Sequence, residues 1–138
     1  MMIVTESQTV SPVVGQPYVR VCVAENGDSI FVDEEFALTT VQMWEGRVDG
    51  KSEPLGDVEV TLRRVFEDSS TGYLHPAPAR QFIVVLASVV EVEVSDGTKR
   101  RFGAGSIILM DDAGGNGHIS RWVGDAEPLA LVLRFAQQ

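Results

Sequence analysis

The chain has 138 residues, a length that fits one domain and lets roughly two-thirds of the unfolded surface be buried on folding. Hydrophobic residues make up 44% and charged residues 22%, a balance that excludes a disordered tail and calls for a packed core. Twenty acidic residues against eleven basic ones give a formal charge of −9, a field that repels nucleic-acid phosphates and anionic headgroups, so neither nucleic acid nor membrane is an expected partner.

The segment Met1–Glu6 has no basic stretch leading into an apolar one, and nowhere do about 18 apolar residues run uninterrupted. The single cysteine, Cys22, lies in an apolar run and has no partner for an intramolecular disulfide, so a buried, inert thiol and a cytoplasmic protein are expected. From Val19 onward the apolar pattern has period two. Val19–Val23 leads to Asn26-Gly27, a dipeptide suited to a tight turn, and Ile30–Val32 is expected to pair back on it. Phe36–Trp44 reads as a further strand, and the following stretch with Gly46, Gly50, Pro54 and Gly56 reads as a loop before Val58–Arg63.

Phe82–Leu86 is a nearly continuous apolar run. Val90–Val94 alternates, with Glu91 and Glu93 expected toward solvent. Arg100–Phe102, Ile107–Met110, His118–Val123 and Leu129–Phe135 complete nine or ten short strands, divided by Asp96-Gly97, Gly103/Gly105, Gly114–Gly117 and Asp125–Pro128. No helical stripe, internal repeat or linker interrupts them. The pattern predicts a single all-β domain over 1–138 and leaves sandwich and barrel open.

Two stretches resemble the motifs of the cupin superfamily. The first cupin motif is Gly, five residues, His-x-His, three or four residues, Glu, six residues, Gly; over 75–88, His75 falls on the first His, Ala77 on the second, Gln81 on the Glu and Ser88 on the closing Gly. The second is Gly, five to seven residues, Pro-x-Gly, two residues, His, three residues, Asn; here Gly105, Gly115 and His118 match, with Ala113 and Trp122 at the Pro and Asn positions. The link from Glu91 to Ser106 is also similar to the usual cupin passage between motifs. The resemblance covers 75–135, and it implies a single-domain jelly-roll β-barrel that pairs into a homodimer through edge strands.

In metal-bearing cupins, two His and a Glu from the first motif and a His from the second converge on Fe, Mn, Zn or Ni. Carried over, the resemblance implies His75, Gln81 and His118 as the metal set, reduced because Ala77 removes one imidazole and Gln81 is a neutral donor. The leading expectation is therefore a small-molecule cupin doing proton-transfer chemistry of isomerase, cyclase or lyase type, with a reduced or absent divalent metal. The alternatives are a metal-dependent dioxygenase-type cupin and a non-catalytic cupin that binds a small ligand.

His118 and His75 are the candidate acid and base, since imidazole titrates near neutrality. Strand alternation puts Gln81 and Ile83 on one face and His118, Ser120 and Trp122 on another, and together with Tyr73 and Met110 these are the expected pocket residues. Other readings stand beside this one: His118 as a structural histidine hydrogen-bonded near the glycine loop, His75 in a Pro-rich surface turn, and the aromatic residues as core. Asp111 and Asp112 read as turn formers, and at most one of two adjacent strand residues can share a pocket with His118. Neither glycine cluster has the features of a phosphate loop, and a triad of Ser120, His118 and Asp111 lacks a nucleophile elbow.

Overall fold

The structure is a computed structural model, and it describes residues 14–68 and 73–136. Ten strands follow one another: β1 Val14–Val23, β2 Ser29–Trp44, β3 Arg47–Lys51, β4 Val58–Arg63, β5 Gln81–Ala87, β6 Val90–Val94, β7 Lys99–Phe102, β8 Ile107–Asp111, β9 His118–Trp122 and β10 Leu129–Phe135. The fold is all-β, and no helix long and apolar enough to cross a membrane occurs among the described residues.

Two local expectations are corrected. Ile30–Val32 and Phe36–Trp44 are one strand, β2, because Asp33-Glu34-Glu35 contains neither Gly nor Pro and extended backbone carries its side chains outward without a break. Arg47–Lys51, read as loop, is strand β3. Its residues have little strand propensity of their own, and its extended state comes from antiparallel pairing with β2, in the register Thr39↔Lys51 to Gln42↔Val48.

The chain divides into two compact units, the smaller being Met1–Pro17 with Glu34–Gly56 and the larger Tyr18–Asp33 with Asp57–Gln138. In the smaller unit, the β2–β3 hairpin carries Arg47 on Asp49 (Nε to Oδ1, 2.8 Å) and over the Trp44 ring.

In the larger unit, one sheet has the strand order β2-β1-β8-β5-β10-β4 and the other β7-β6-β9. β1 runs parallel to β8, while β5–β8, β5–β10 and β4–β10 are antiparallel. Residues paired across strands share a face, so the register defines each face. On the larger sheet Val21, Val85, Ile108 and Met110 look inward, and on the smaller sheet Val90, Val92, Val94 and Phe102 do, forming one buried cluster with Ala77. Val21, Val85, Val92 and Ile108 are at most 1% exposed, and each such side chain contributes about 1.5–3 kcal/mol of burial free energy.

The opposite face of the smaller sheet is polar, as the alternation of β6 requires. There Arg121 spans Glu91 and Glu93 (3.4 and 3.1 Å), and Arg101 reaches Glu91 (3.1 Å). Between β5 and β6, Ser88 adopts φ 74°, the left-handed region that costs an L-residue about 1–2 kcal/mol.

Candidate functional site

The site grows from the glycine loop that carries the chain from β8 of the larger sheet to β9 of the smaller one. β8 delivers Asp112 just past its end, the glycine loop reverses the chain, and β9 opens with His118. The Gly115 N–H bonds back to the Asp112 carbonyl (2.9 Å), which tightens the reversal. Gly117 has φ +99°, and a Cβ there would stand 2.6 Å from the His75 carbonyl carbon, so only glycine lets the two chains approach this closely. That approach forms an antiparallel bridge in which His75 and His118 exchange backbone hydrogen bonds, each 3.0 Å.

The two imidazoles, 43 positions apart in sequence, lie with ring centroids 5.4 Å apart and planes tilted by 52°. Their exposure differs sharply. His118 is 4% exposed, and its partner across β6 is Val94, so it stands on the core-facing side of the smaller sheet. His75 is exposed, with Nδ1 3.5 Å from the Pro76 carbonyl.

Beneath His118 lies a carboxylate that sequence reasoning had treated as a turn former. Asp112 is fully buried, and its Oδ2 is 2.8 Å from His118 Nδ1. The same oxygen accepts the hydroxyl of Ser29 (2.7 Å), a fully buried residue at the start of β2. Oδ1 accepts the Ala77 N–H (2.9 Å), and Ser29 Oγ in turn accepts the Gly117 N–H (3.2 Å). Both carboxylate oxygens of Asp112 are therefore paired, as a buried charge requires.

Burial by itself raises the Asp112 carboxyl, but the hydrogen bonds from His118, the Ala77 N–H and Ser29 outweigh it and hold the group below the ordinary aspartate range. An ionised carboxylate only accepts, so the neutral His118 ring carries its proton on Nδ1 and leaves the Nε2 lone pair for chemistry.

The loops around the node are stitched together. The Asn116 N–H bonds to the Gly27 carbonyl (2.8 Å), and Asn116 Nδ2 to Asp28 Oδ1 (2.9 Å). Ser95 Oγ accepts the Ser29 N–H (2.7 Å) and donates to Asp28 Oδ1 (3.0 Å). Bonds from Asn116 first, then Ser95 and Asn26, hold the Asp28 carboxyl below its usual range.

The other expected pocket residues are spread over different environments. Register puts Gln81 and Ile83 on the inward face of the larger sheet beside Met110 and Ile108, and Ser120 and Trp122 on the inward face of the smaller one. Met110 belongs to the buried cluster, and Ile83 and Trp122 pack against it. Gln81 and Ser120 are half-buried, and Tyr73 is 64% exposed. Asp111 faces the other way from Asp112 and lies 3.4 Å from Arg20 Nε and 3.6 Å from Arg80 Nε.

Sequence reasoning missed Asp112 and Ser29 as partners of His118. One signal was available: a carboxylate six residues before a histidine, across a glycine loop joining two strands, puts the two at the ends of one short connection. Nothing local marks Ser29, which arrives 83 positions away from Asp112.

As a metal set, His75, Gln81 and His118 provide two imidazoles and a neutral amide. Among the described residues no group of three or more His, Cys, Asp or Glu is arranged to hold a metal ion. The nearest carboxylate, Asp112, is already engaged by three donors, so the set brings no free negative charge to a divalent ion. Neither a protein-family model nor a curated protein matches the chain.

Proposed function

We propose that this protein is a small-molecule-processing cupin of jelly-roll architecture in which His118 transfers a proton within an interior pocket, in chemistry of isomerase, cyclase or lyase type. The observation that carries the reading is the Asp112–His118 pair. A buried, fully hydrogen-bonded carboxylate directs the Nδ1 proton of a 4%-exposed imidazole, and a second imidazole lies beside it. That is the construction of a general base: the carboxylate orients the ring and stabilises the imidazolium formed when Nε2 takes a proton. His75, exposed and adjacent, is the group through which that proton is returned or exchanged with solvent.

Three further observations support the cupin assignment. The two histidines of the resembling motifs meet in one bridge. Ser88, at the closing glycine of the first motif, has the positive φ that glycine ordinarily supplies. Ala77, at the second histidine of that motif, turns its methyl into the core cluster while its N–H clamps Asp112, so an orienting carboxylate is bonded where a third imidazole is missing.

One observation favours a metal-bearing variant of the reading. Metal-bound histidines usually donate their second ring nitrogen to a carboxylate, as His118 does.

The test is deuterium exchange. A panel of small carbonyl compounds with acidic C–H bonds is incubated in D2O with protein purified without chelator, and incorporation is read by mass spectrometry. Incorporation into one class of compound, lost in His118→Ala with the fold retained, is the expected result. Stoichiometric bound metal that disappears in His118→Ala would replace the metal-free reading with the dioxygenase-type one. Tight retention of a small molecule without exchange would make the protein a binding module.

A further inference from the structure

The two sheets of the larger unit are unequal in width, and the excess lies on one side. Phe102 of β7 packs on Phe31 of β2 (ring centroids 6.2 Å), and Arg100 of β7 lies over the same ring and on Asp33 (2.6 Å). The β7 end of the smaller sheet therefore stands over β2, and its β9 end looks toward β5, β10 and β4. β6 occupies one edge of β9, so His75 joins it on the edge that faces this side.

β4 is the last strand on that side, and it is inverted. Its inward residues are Arg63 and Thr61, across from Ala130 and Val132 of β10, and Glu59, across from Arg134. Its apolar residues Val58, Val60 and Leu62 point the other way. A strand completing the core would turn its apolar residues inward, so this one lays a polar wall along the side of the interior where His118 and His75 stand.

The arginines of the chain single out this wall. Seven of the nine stand within 3.6 Å of a carboxylate oxygen, as expected where acidic residues outnumber basic ones twenty to eleven. The two with no such ion pair among the described residues are Arg63 and Arg134, and both are on the inward side of β4 and β10. Arg134 has Glu59 directly across from it and shares a surface cavity with Asp57, so its charge is offset nearby. Arg63 has Ala130 across from it, and its Nε donates to the Thr61 hydroxyl (3.0 Å). That bond fixes the guanidinium and leaves its outer edge, Nη1 and Nη2, facing away from Thr61.

We infer that Arg63, braced by Thr61, recognises the carboxylate of the molecule on which His118 acts, and that this substrate is an elongated carboxylic acid with an apolar body. The substrate assignment rests on the proton-transfer reading of His118 above. A guanidinium edge of two N–H groups matches the two oxygens of a carboxylate, one charge against one. A phosphate dianion is ordinarily met by several cations or by a nest of backbone N–H groups, and Arg63 stands without a second cation across from it. The half-buried side chains of Ile83 and Trp122, which edge the core cluster, supply the apolar contact.

Register sets the length. Asp112, bonded to His118, follows Met110, and Met110 pairs with Gln81, which pairs with Arg134 opposite Glu59. His118 therefore belongs to the Glu59 end of β4, and Arg63 lies four residues further along. Leaning back on Thr61 brings the Arg63 head to the middle of the strand, two residues or about 7 Å short of the His118 end. With the sideways step from β9 to β4, the carboxylate and the C–H that His118 attacks are about 7–10 Å apart, too far for a two- or three-carbon acid.

The experiment is calorimetric titration of the full chain with ω-oxo-ω-phenylalkanoic acids of about four to ten chain carbons and with their methyl esters, alongside deuterium exchange into the same compounds. The longer acids are expected to bind and the esters not. Arg63→Gln should weaken acid binding about 10–100-fold, and Arg63→Lys, a point charge in place of a fork, should recover only part of it. Arg64→Gln is the control for overall charge: Arg64 is held by Glu127 (2.9 Å), and its loss should leave binding unchanged. Both arginines are exposed, and circular dichroism checks that each variant keeps the fold. Failure of every acid to bind, equal binding of acids and esters, or equal losses in Arg63→Gln and Arg64→Gln overturns the inference. Exchange that needs His118 but runs equally well in acids and esters keeps the proton-transfer reading and removes the carboxylate site. Acid binding that needs Arg63, with no exchange, keeps the site and removes the proton-transfer reading.

Discussion

Replacing Asp112 by Asn is the most informative single change, because it removes one charge and almost no volume. The carboxylate accepts from Ala77 on one oxygen and from Ser29 and His118 on the other. An amide has one acceptor and one donor end. With its oxygen toward Ser29 and His118, its NH2 meets the Ala77 N–H, leaving two buried donors facing each other. With the opposite flip, the NH2 meets a serine oxygen already accepting from Gly117, and His118 must change tautomer. Either way at least one buried donor is orphaned, costing about 1–3 kcal/mol, and two charge-assisted bonds become neutral ones. A loss of about 2–4 kcal/mol in urea unfolding at pH 7 is expected.

The same variant carries a pH signature. Because the Asp112 carboxyl titrates lower folded than unfolded, its stabilisation is complete above the ordinary aspartate value of about 4 and is lost as pH falls through the folded value. The stability difference between wild type and Asp112→Asn should therefore shrink as pH falls below about 4. A difference under about 0.5 kcal/mol at pH 7, or one that does not shrink below about pH 4, would refute the assignment of Asp112 as the buried charged anchor of His118.

Other substitutions probe the frame around this node. Ser88→Gly relieves the φ of 74° and deletes a buried hydroxyl that has no partner among the described residues, so a gain of about 0.5–1 kcal/mol is expected, read as a rise in Tm. Gly117→Ala puts a methyl against the His75 backbone at φ +99° and should cost at least about 3 kcal/mol, with the His75 and His118 amides losing hydrogen-exchange protection together. Ile108→Ala, at 1% exposure in the cluster between the sheets, should cost about 2–5 kcal/mol with an unchanged urea m-value.

Much of the strand content was legible in the chain because period-two alternation is a local property. Val90–Val94 is a strand with buried valines and ion-paired glutamates because a sheet with one wet face demands that pattern. Leu129–Phe135 and Val58–Arg63 were likewise readable, yet nothing within β4 says which of its faces meets the core. Only pairing with β10 reveals that its apolar side looks outward. β3 stayed hidden because its extended state is conferred by β2.

For the site, the residue types and the glycine loop between β8 and β9 were in the sequence, and the partnership was not. His118 was marked by its place beside a glycine loop and by a motif resemblance, and His75 by that resemblance alone. Asp112 and Asp111 are equivalent by composition, and alternation says only that they part company. Tertiary structure decided that Asp112 turns to His118 while Asp111 turns to Arg20 and Arg80, and it supplied Ser29 and the Ala77 N–H from distant segments. The physical reason is that local propensity depends on near neighbours, whereas a buried charge is stable only where several long-range donors converge on it.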